Sequence, residues 1–403
     1  MNNAIKMSVV AELVIATSGV FWAISAGPAL AANDSGISDK EILICAYQPE
    51  TGNESSYFRM GKGADAWFKH VNDAGGIGGR KINFEMVDDG YQPARTRVIV
   101  EQFIKRDKCF AIVAALGSAP TVAVIDYVTE GDMPLIGPGT GAQKVVSFPS
   151  KWVFPLYPSY EDEGRQLTHF ASEVFKAKKI AVLYQNDPSG KSHIAGIESV
   201  KDKYGIEVVA EKGYDPKDID VSSQVIAMKD ANPDAVICSC APEPAAKFYT
   251  ERKRLGWNVP VVNVFFGKSP KVPELAGNDA VEGVYFSTIF RDFDSAAPQI
   301  KDAKEILAKY YPEEQPDPIH LWGFTGAQVF TEAMKRMSDA GGDITRDRLV
   351  ETLEGVKNWT GSVVPNITID KGEAAQHFLV KELSFVQFKG GKFEEFTPPW
   401  AGK

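Results

Sequence analysis

The chain has 403 residues and a formal net charge of −9 at pH 7. That length exceeds what one hydrophobic core usually serves, so two domains are expected. A net negative charge disfavours nucleic acids and anionic membrane surfaces, and we expect neither as a partner.

The first 31 residues carry the pattern of a secretory signal peptide. Lys6 precedes a mostly apolar stretch over residues 9–24, and Ala29-Leu30-Ala31 supplies small residues at a cleavage site. Glu12 interrupts the apolar stretch, which is shorter than the roughly 18 residues of a membrane span. No cysteine follows the cleavage site. The segment therefore predicts export as a free periplasmic protein, without a membrane or lipid anchor.

Strands and helices alternate after the signal peptide. Strands are predicted over residues 42–47, 82–87, 110–115 and 134–136, and helices over 60–72, 93–105 and 121–130. The alternation restarts after Trp152, with strands over 179–184, 207–210, 234–240 and 261–265 and helices over 190–204, 222–230 and 243–255. Two such series predict an α/β fold with two doubly wound parallel sheets, each covered by helices.

The last third of the chain is mainly helical. A strand is predicted over residues 284–286, helices over 300–310, 320–337 and 346–353, and strand-like segments over 363–369 and 379–388. Late segments of this kind are expected to complete sheets that are already begun.

Four cysteines follow the signal peptide. Cys45 and Cys109 can form a disulfide if their strands are neighbours, and export permits one. Cys238 and Cys240 lie on one predicted strand, where bridge geometry is hard to reach. The preferred interpretation is that the cysteines are buried thiols packed as small hydrophobic groups.

The sequence lacks the motifs of the common enzyme and cofactor classes. It contains no GxxxxGK[ST] phosphate loop, no GxSxG elbow and no HExxH zinc motif. The five histidines are dispersed, and Asp88-Asp89 is interpreted as capping the loop that follows its strand. We therefore expect no catalysis, no metal and no cofactor.

Two loops carry a binding signal. The third predicted strand runs into Leu116-Gly117-Ser118, and the fourth runs into Gly137-Pro138-Gly139-Thr140-Gly141. In a doubly wound sheet such loops lie together at the carboxyl ends of the strands, where ligands bind. Hydroxyl groups and free backbone N–H groups at a helix start favour a carboxylate. Ordinary N-capping by Ser118 and Thr140 explains the same residues about equally well.

Several longer segments follow one another in a specific order and spacing. They are Gly61-Lys-Gly-Ala-Asp-Ala-Trp67, Val71-Asn-Asp-Ala-Gly-Gly-Ile-Gly-Gly-Arg80, Val87-Asp-Asp89, Gly137-Pro-Gly139, Asp220-Val-Ser-Ser-Gln-Val225, Asn232-Pro-Asp-Ala-Val236 and Glu282-Gly283. On these segments the chain resembles, from about Ile42 to Phe388, the type I periplasmic binding proteins of ABC importers, in the leucine/isoleucine/valine-binding branch.

The resemblance implies two lobes that are joined by three crossovers and close on one small molecule without catalysis. The first lobe would comprise residues 32–155 and 287–365, and the second residues 156–286 and 366–403. The implied partners are a small-molecule carboxylate and an ABC permease in the inner membrane, and we expect the protein to act as a monomer.

The resemblance also implies a carboxylate site on the first lobe. The family's carboxylate-binding serine falls on Ser118, and its next contacts fall on Thr140 and Gly141. Amino-acid binders have a threonine where this chain has Gly141, so the hydroxyl must come from Thr140.

The second lobe departs from the amino-acid binders. Their tyrosine and glutamate for the ligand ammonium fall on Ala241 and Phe265, and an aromatic residue falls on Ser189. An unpaired buried ammonium would cost several kcal/mol, so we expect α-amino acids to be rejected. Phe265 and Phe266, with Ala241 and Tyr57, are expected to cover an apolar or aromatic body. Further aromatic area is expected from Phe58, Tyr157, Tyr160 and Trp322.

An aromatic carboxylate is therefore the preferred ligand, and several alternatives stay open. A branched-chain amino acid, a short aliphatic acid or an amide or urea-like solute would fit the same class of protein. A shift of the alignment by one or two residues would let Glu243 or Asp187 supply the missing anion. Outside this class, the chain could be a ligand-binding domain that feeds a separate sensor. A secreted enzyme is disfavoured, because no nucleophile or metal motif is found.

Overall fold

A computed structural model describes residues 33–218, 220–290, 293, 295–364, 367–377 and 383–400. The predicted signal peptide, residues 1–31, lies outside these residues. Among the helices within the described ranges, none is long and apolar enough to cross a membrane.

The first sheet has five parallel strands in the order β2-β1-β3-β4-β5. Its strands are β1 (Glu41–Gln48), β2 (Lys81–Asp88), β3 (Ala111–Val113), β4 (Leu135–Ile136) and β5 (Val153–Phe154). Its connecting helices are α1 (Phe58–Asp73), α2 (Pro93–Gln102), α3 (Ser118–Glu130) and α4 (Gln143–Val146). A short 3₁₀ turn (Ser55–Tyr57) precedes α1, and a π-helical turn (Phe103–Asp107) follows α2.

The second sheet has seven strands in the order β12-β11-β10-β9-β8-β6-β7. Its parallel strands are β6 (Lys179–Gln185), β7 (Glu207–Tyr214), β8 (Ala235–Ser239), β9 (Val261–Asn263) and β10 (Tyr285–Thr288). Its helices are α5 (Tyr160–Glu173), α6 (Pro188–Tyr204), α7 (Ser222–Asp230), α8 (Pro242–Arg254), α9 (Lys271–Ala276) and α10 (Asn278–Val281). A hairpin of β11 (Ser384–Lys389) and β12 (Lys392–Phe396) adds two antiparallel strands beside β10.

Three helices between β10 and β11 pack on the first lobe. They are α11 (Pro298–Tyr310), α12 (Pro318–Ala340) and α13 (Arg346–Glu354). The indole N–H of Trp67 on α1 donates to the hydroxyl of Thr331 on α12 over 2.9 Å, and Asp34 N–H donates to the Ile344 carbonyl over 3.0 Å. The α/β fold with parallel sheets in two lobes is thus confirmed. The lobe boundaries set at 155/156, 286/287 and 365/366 stay a prediction, and residues 365 and 366 lie outside the described chain.

The expected strand over residues 363–369 is wrong for the residues that are described there. Ile367 forms only an isolated antiparallel bridge with Trp359, and residues 363 and 364 are bends. Ile369 is fully buried. The apolar residues of this segment are therefore explained by packing of a loop against the core, and not by pairing in a sheet.

Both cysteine pairs form disulfides, which corrects the interpretation as buried thiols. Cys45 and Cys109 are bridged with a Cα–Cα distance of 6.0 Å, because β1 lies beside the segment that leads into β3. Cys238 and Cys240 are bridged with a Cα–Cα distance of 5.3 Å. The predicted strand ran through Cys240, but β8 ends at Ser239, so Cys240 is not held at the fully extended spacing.

Candidate ligand site between the lobes

A small cavity lies between the lobes. It is lined from both sheets and from α12 by Tyr57, Tyr91, Leu116, Gly117, Ser118, Gly139, Tyr160, Gln185, Ser189, Phe266 and Trp322. Most of the first-lobe residues follow the carboxyl ends of β1, β2, β3 and β4. This is the edge of a parallel sheet at which ligands bind.

Hydroxyl and amide groups converge at the first-lobe side of the cavity. The Ser118 and Thr140 hydroxyls are hydrogen-bonded to each other over 2.8 Å. Burial raises the pKa of Tyr160, and hydrogen bonds from the Gly141 backbone and the Ser118 side chain oppose that rise. The Ser118 and Thr140 hydroxyls therefore lie together beside the N-terminus of α3, close to the Tyr160 ring and the Gly141 backbone. That is the donor chemistry that holds a carboxylate without a counter-charge.

Ser118 and Thr140 differ in whether their hydroxyl groups serve as helix N-caps. Ser118 is the first residue of α3, and the N-cap is Gly117, which has no side chain to contribute. The Ser118 hydroxyl is therefore not a cap. Thr140 does accept the Ala142 N–H over 3.0 Å, so its oxygen has a local structural role as well as its contact with Ser118.

Position 141 has no room for a side chain. A Cβ atom on Gly141 would lie 1.9 Å from the Pro158 carbonyl oxygen and 2.9 Å from the Tyr160 ring. The segment that crosses to the second lobe packs directly on this glycine, and Tyr160 N–H donates to the Gly141 carbonyl over 2.9 Å. The threonine of amino-acid binders could not be accommodated here without moving this crossover.

Aromatic rings from both lobes enclose the rest of the cavity. Tyr57 stacks on Trp322 with ring centroids 6.0 Å apart, and Tyr160 meets Phe266 edge-on at 5.3 Å. The Tyr57 hydroxyl also donates to the Phe266 carbonyl over 3.2 Å, which joins the two lobes. Phe265 packs on Trp322 at 5.3 Å, behind the cavity wall.

The eight residues assigned from the sequence fall into two groups. Four of them line the cavity: Ser118, Tyr57, Ser189 and Phe266. Four others are not in the lining. Thr140, Gly141 and Phe265 contact lining residues, and the Ala241 N–H donates to the hydroxyl of Tyr214, which is outside the lining. Phe265 was expected at the mouth of the cleft. It lies in the 3₁₀ turn after β9, which ends at Asn263, and its buried ring packs on Trp322 and Tyr160. Tyr57 belongs to the first lobe, where it follows β1.

The second-lobe side of the cavity is partly polar. Gln185 and Ser189 present polar side chains to the cavity, and buried Asp187 lies between them. Asp187 accepts hydrogen bonds from the Tyr91 hydroxyl at 2.7 Å, Gln185 Nε2 at 2.9 Å and Ser189 N–H at 2.8 Å. Asp187 is also the N-cap of α6, so its oxygens are already engaged.

Tyr91 is a site residue that the sequence interpretation missed. Its hydroxyl accepts the Ser118 N–H over 3.3 Å while donating to Asp187, so it bridges the lobes inside the cavity wall. Asp89 accepts the Tyr91 N–H over 2.9 Å and the Thr96 hydroxyl over 2.7 Å, as expected for an acidic pair that caps this loop. Tyr91 has a φ of 58°, an uncommon backbone conformation for a bulky residue, which places its ring toward the cleft.

A fully buried polar network supports the second-lobe wall. One oxygen of Glu163 accepts the Phe265 N–H at 2.8 Å and the Ser287 hydroxyl, and the other contacts His193 Nε2 at 2.9 Å. His193 Nδ1 contacts the Ser239 hydroxyl at 2.9 Å, and its ring stacks on Tyr160 at 4.7 Å. The network fixes the turn that carries Phe265 and Phe266. Within the described ranges, no group of three or more His, Cys, Asp or Glu side chains is arranged to hold a metal ion.

The geometry defines a two-lobed protein with a cavity between its two sheets. The sequence matches the family model described as periplasmic binding protein over residues 41–392. The chain therefore belongs to the periplasmic binding protein family, as a type I member of the leucine/isoleucine/valine-binding branch.

Known proteins agree with this assignment. The Leu/Ile/Val-binding protein homolog 1 of Brucella abortus is 23% identical over 338 residues, which cover 83% of this chain and 84% of that protein. The fatty acid ABC transporter substrate-binding protein from Thermomonospora curvata superposes with a TM-score of 0.81 at 22% identity, covering 91% and 94% of the two chains. A solute-binding protein of an ABC transporter from R. palustris in complex with benzoate gives a TM-score of 0.77 at 18% identity, covering 88% and 95%.

Proposed function

We propose that the protein is the extracytoplasmic solute-binding subunit of an ABC importer. In this proposal it captures a small carboxylate with an aromatic body between its lobes and delivers it to a membrane permease, with no chemical step. The observation that carries the proposal is the cavity itself, where the Ser118 hydroxyl and the start of α3 lie opposite Phe266 and beside Trp322.

Two features favour an aromatic acid over an aliphatic one. Five of the eleven lining residues are aromatic, and they come from both lobes, so closure would place rings on opposite sides of a flat ligand. The R. palustris protein, which has the same fold, was solved with benzoate.

Capture by closure requires that the ligand contacts both lobes. Ser118 and Tyr160 would hold the carboxylate at the first-lobe side and the crossover, while Phe266, Ser189 and Gln185 would contact the body from the second lobe. Only contacts made in the closed state shift the equilibrium toward it.

A ligand panel tests the proposal by thermal unfolding and calorimetry. We expect benzoate or phenylpropanoate to stabilise the protein by about 2.7 kcal/mol at about 100 times the dissociation constant. Stabilisation by leucine or valine, with no response to any aromatic carboxylate, would overturn the aromatic assignment.

Ser118→Ala tests the carboxylate contact. Loss of a hydrogen bond to a charged group should weaken carboxylate binding by about 10- to 100-fold, measured by calorimetry. Ser147→Ala is the matched control, because its exposed hydroxyl bonds only the local Gln143 carbonyl among the described residues. Equal affinities of the two variants would remove Ser118 from the site.

A further inference from the structure

Glu54 is a carboxylate whose burial depends on contact between the lobes. It lies in the loop after β1, is 2% exposed, and has no hydrogen-bond partner for either oxygen among the described residues. Neighbouring side chains of the same loop donate to the second lobe: Asn53 to the Pro216 carbonyl over 2.9 Å, Ser56 to Glu243, and Tyr57 to the Phe266 carbonyl over 3.2 Å. The second lobe therefore covers this loop, and separating the lobes would return Glu54 to water.

Glu243 lies against the same loop from the second lobe. It stands in the first turn of α8, where one of its oxygens accepts the Ser56 hydroxyl. Its other oxygen is buried without a hydrogen-bond partner in the described chain. Contact between the lobes thus encloses carboxylate oxygens from both sides, and three of them are bonded by no described group.

The charged groups around Glu54 do not make up for its burial. Burial raises the pKa of Glu54 well above its usual value, and the charges of Glu243 and Asp187 raise it further. Lys247 on α8 lowers the pKa, but its amino group donates to the Asp218 carbonyl over 3.5 Å and makes no hydrogen bond with Glu54. The groove that adjoins Glu54 is lined by further charged residues, Asp215, Lys217 and Asp218.

Tyrosines and two more cations complete the surroundings of the two glutamates. Burial raises the pKa of each tyrosine that faces Glu54, so all of them stay neutral: Tyr57, Tyr91 and Tyr214. The charges of Arg59 and Lys271 lower the pKa of Glu243, but burial has the larger effect and raises it. The two glutamates therefore hold a proton more tightly when the lobes are together than when they are apart.

We propose, given the lobe closure of the function proposed above, that Glu54 and Glu243 couple that closure to a proton. A proton on the pair favours the closed arrangement, and loss of the proton favours the open one. A protonated carboxyl supplies an O–H donor for one of the oxygens that otherwise have none. Two ionised carboxylates repel each other, and both are better hydrated when the lobes separate.

Closure should therefore weaken as the pH rises. In the open arrangement both carboxyls are hydrated and ionise near the ordinary value of 4.5, whereas the closed arrangement keeps a proton to higher pH. For one proton, the ratio of closed to open protein falls by up to about tenfold for each pH unit between these two values.

Small-angle X-ray scattering of the ligand-free protein tests the coupling without any solute. We expect the wild-type radius of gyration to be smaller at about pH 5.5 than at about pH 7.5, because the pair is protonated at the lower pH. Glu54→Gln, which has a neutral side chain of similar shape, should stay compact at both. Glu50→Gln, at an exposed glutamate of the same loop, should behave as the wild type does.

Benzoate dissociation gives a second measure, because a bound solute leaves only when the lobes open. We expect the wild-type dissociation rate, measured by stopped flow, to be about three- to tenfold slower at about pH 5.5 than at about pH 7.5, a range in which benzoate stays ionised. Glu54→Gln should show the slow rate at both. Glu243→Gln should weaken the same dependence, and it replaces Glu54→Gln if thermal unfolding shows that variant to be unfolded.

Scattering and dissociation rates that do not change with pH in the wild type would overturn the proton coupling. A pH dependence that survives in both glutamine variants would also contradict it, as would closure that follows added NaCl or CaCl₂ at constant pH, because the pair would then bind a metal cation. If benzoate still binds and compacts the protein in these cases, the proposed function stands. That function fails instead if no carboxylate of the panel binds or changes the scattering, whatever the response to pH.

Discussion

At the scale of single residues, Gly141 shows how closely the proposed carboxylate site depends on backbone packing. A methyl group at this position meets the Pro158 carbonyl oxygen at 1.9 Å, and backbone atoms must move to admit it. We expect Gly141→Ala to lower the free energy of unfolding by about 1–3 kcal/mol, measured by urea denaturation.

Gly355→Ala is the control for that substitution. Gly355 also has a negative φ, and apart from its chain neighbours a Cβ atom there would meet no heavy atom closer than 3.3 Å. Equal stability of the two variants would show that the crossover segment moves at little cost in free energy, and that Gly141 does not hold it in position.

Glu54 makes the stability of the ligand-free protein depend on pH. Burial holds the pKa of its carboxyl above the ordinary 4.5 in the folded state, so the folded protein binds this proton more tightly than the unfolded chain. Its contribution is fully present below about pH 4.5 and is lost as the pH rises through the higher folded value. We expect stability at about pH 5 to exceed that at about pH 8 by a larger margin in wild type than in Glu54→Gln, measured by chemical denaturation. Identical pH profiles for the two proteins would contradict this.

The site residues that the sequence revealed belong to local patterns, and the residues that it missed depend on contacts between distant loops. Ser118 could be found because a small hydroxyl after a buried strand is a local pattern. The positions of Tyr91 and Gln185 in the cavity wall and the burial of Glu54 could not, because they arise only when loops from the two lobes meet. A glutamate in a polar loop is normally solvated, and nothing in the neighbouring sequence distinguishes Glu54 from that ordinary case.

At the scale of elements, the start of α3 decides which groups face the cavity between the lobes. The sequence predicted a helix from Thr121, after Pro120, but α3 begins at Ser118. Proline is tolerated in the first helical turn, since its missing N–H would have no partner within the helix there. The earlier start places Ser118, rather than Thr121, at the positive end of the helix dipole.

The two disulfides should contribute unequally to stability. The Cys45–Cys109 bridge spans a sequence separation of 64 residues, and the Cys238–Cys240 bridge a separation of 2. Loop-closure entropy then gives about 4 kcal/mol for the first bridge and less than about 2 kcal/mol for the second. Replacing both cysteines of each pair by alanine, followed by denaturation, compares them directly. A larger loss for the short bridge would mean that chain entropy is not the main source of stabilisation.

At the scale of the whole molecule, closure rests on hydrogen bonds between the lobes. The Tyr91 hydroxyl joins Ser118 to Asp187, and Asn53 Nδ2 donates to the Pro216 carbonyl over 2.9 Å. Tyr91→Phe removes one bridge while keeping the ring. We expect faster ligand dissociation and an affinity about 3- to 10-fold weaker, with little change in the association rate, measured by stopped-flow kinetics.

Tyr204→Phe, at the end of α6 and outside the cavity lining, is the control for this change. A variant that loses affinity only through slower association would argue against a role for Tyr91 in holding the closed state.

The alternation of strands and helices was sufficient to predict two parallel α/β sheets. It did not reveal the short strands β5 and β12, because two to five residues carry too little periodicity to be separated from loops. The return of α11–α13 to the first lobe was implied by family resemblance and not by any local pattern.

The hairpin β11–β12 has a consequence for the order in which the molecule is built. It pairs with β10, yet nearly one hundred residues separate Thr288 from Ser384, and the helices between them belong to the opposite lobe. A polypeptide made from its N-terminal end therefore releases α11–α13, which pack on the first lobe, before it releases the hairpin. The second sheet stays two strands short until these last residues have emerged, so the first half of the molecule has all its pieces before the second.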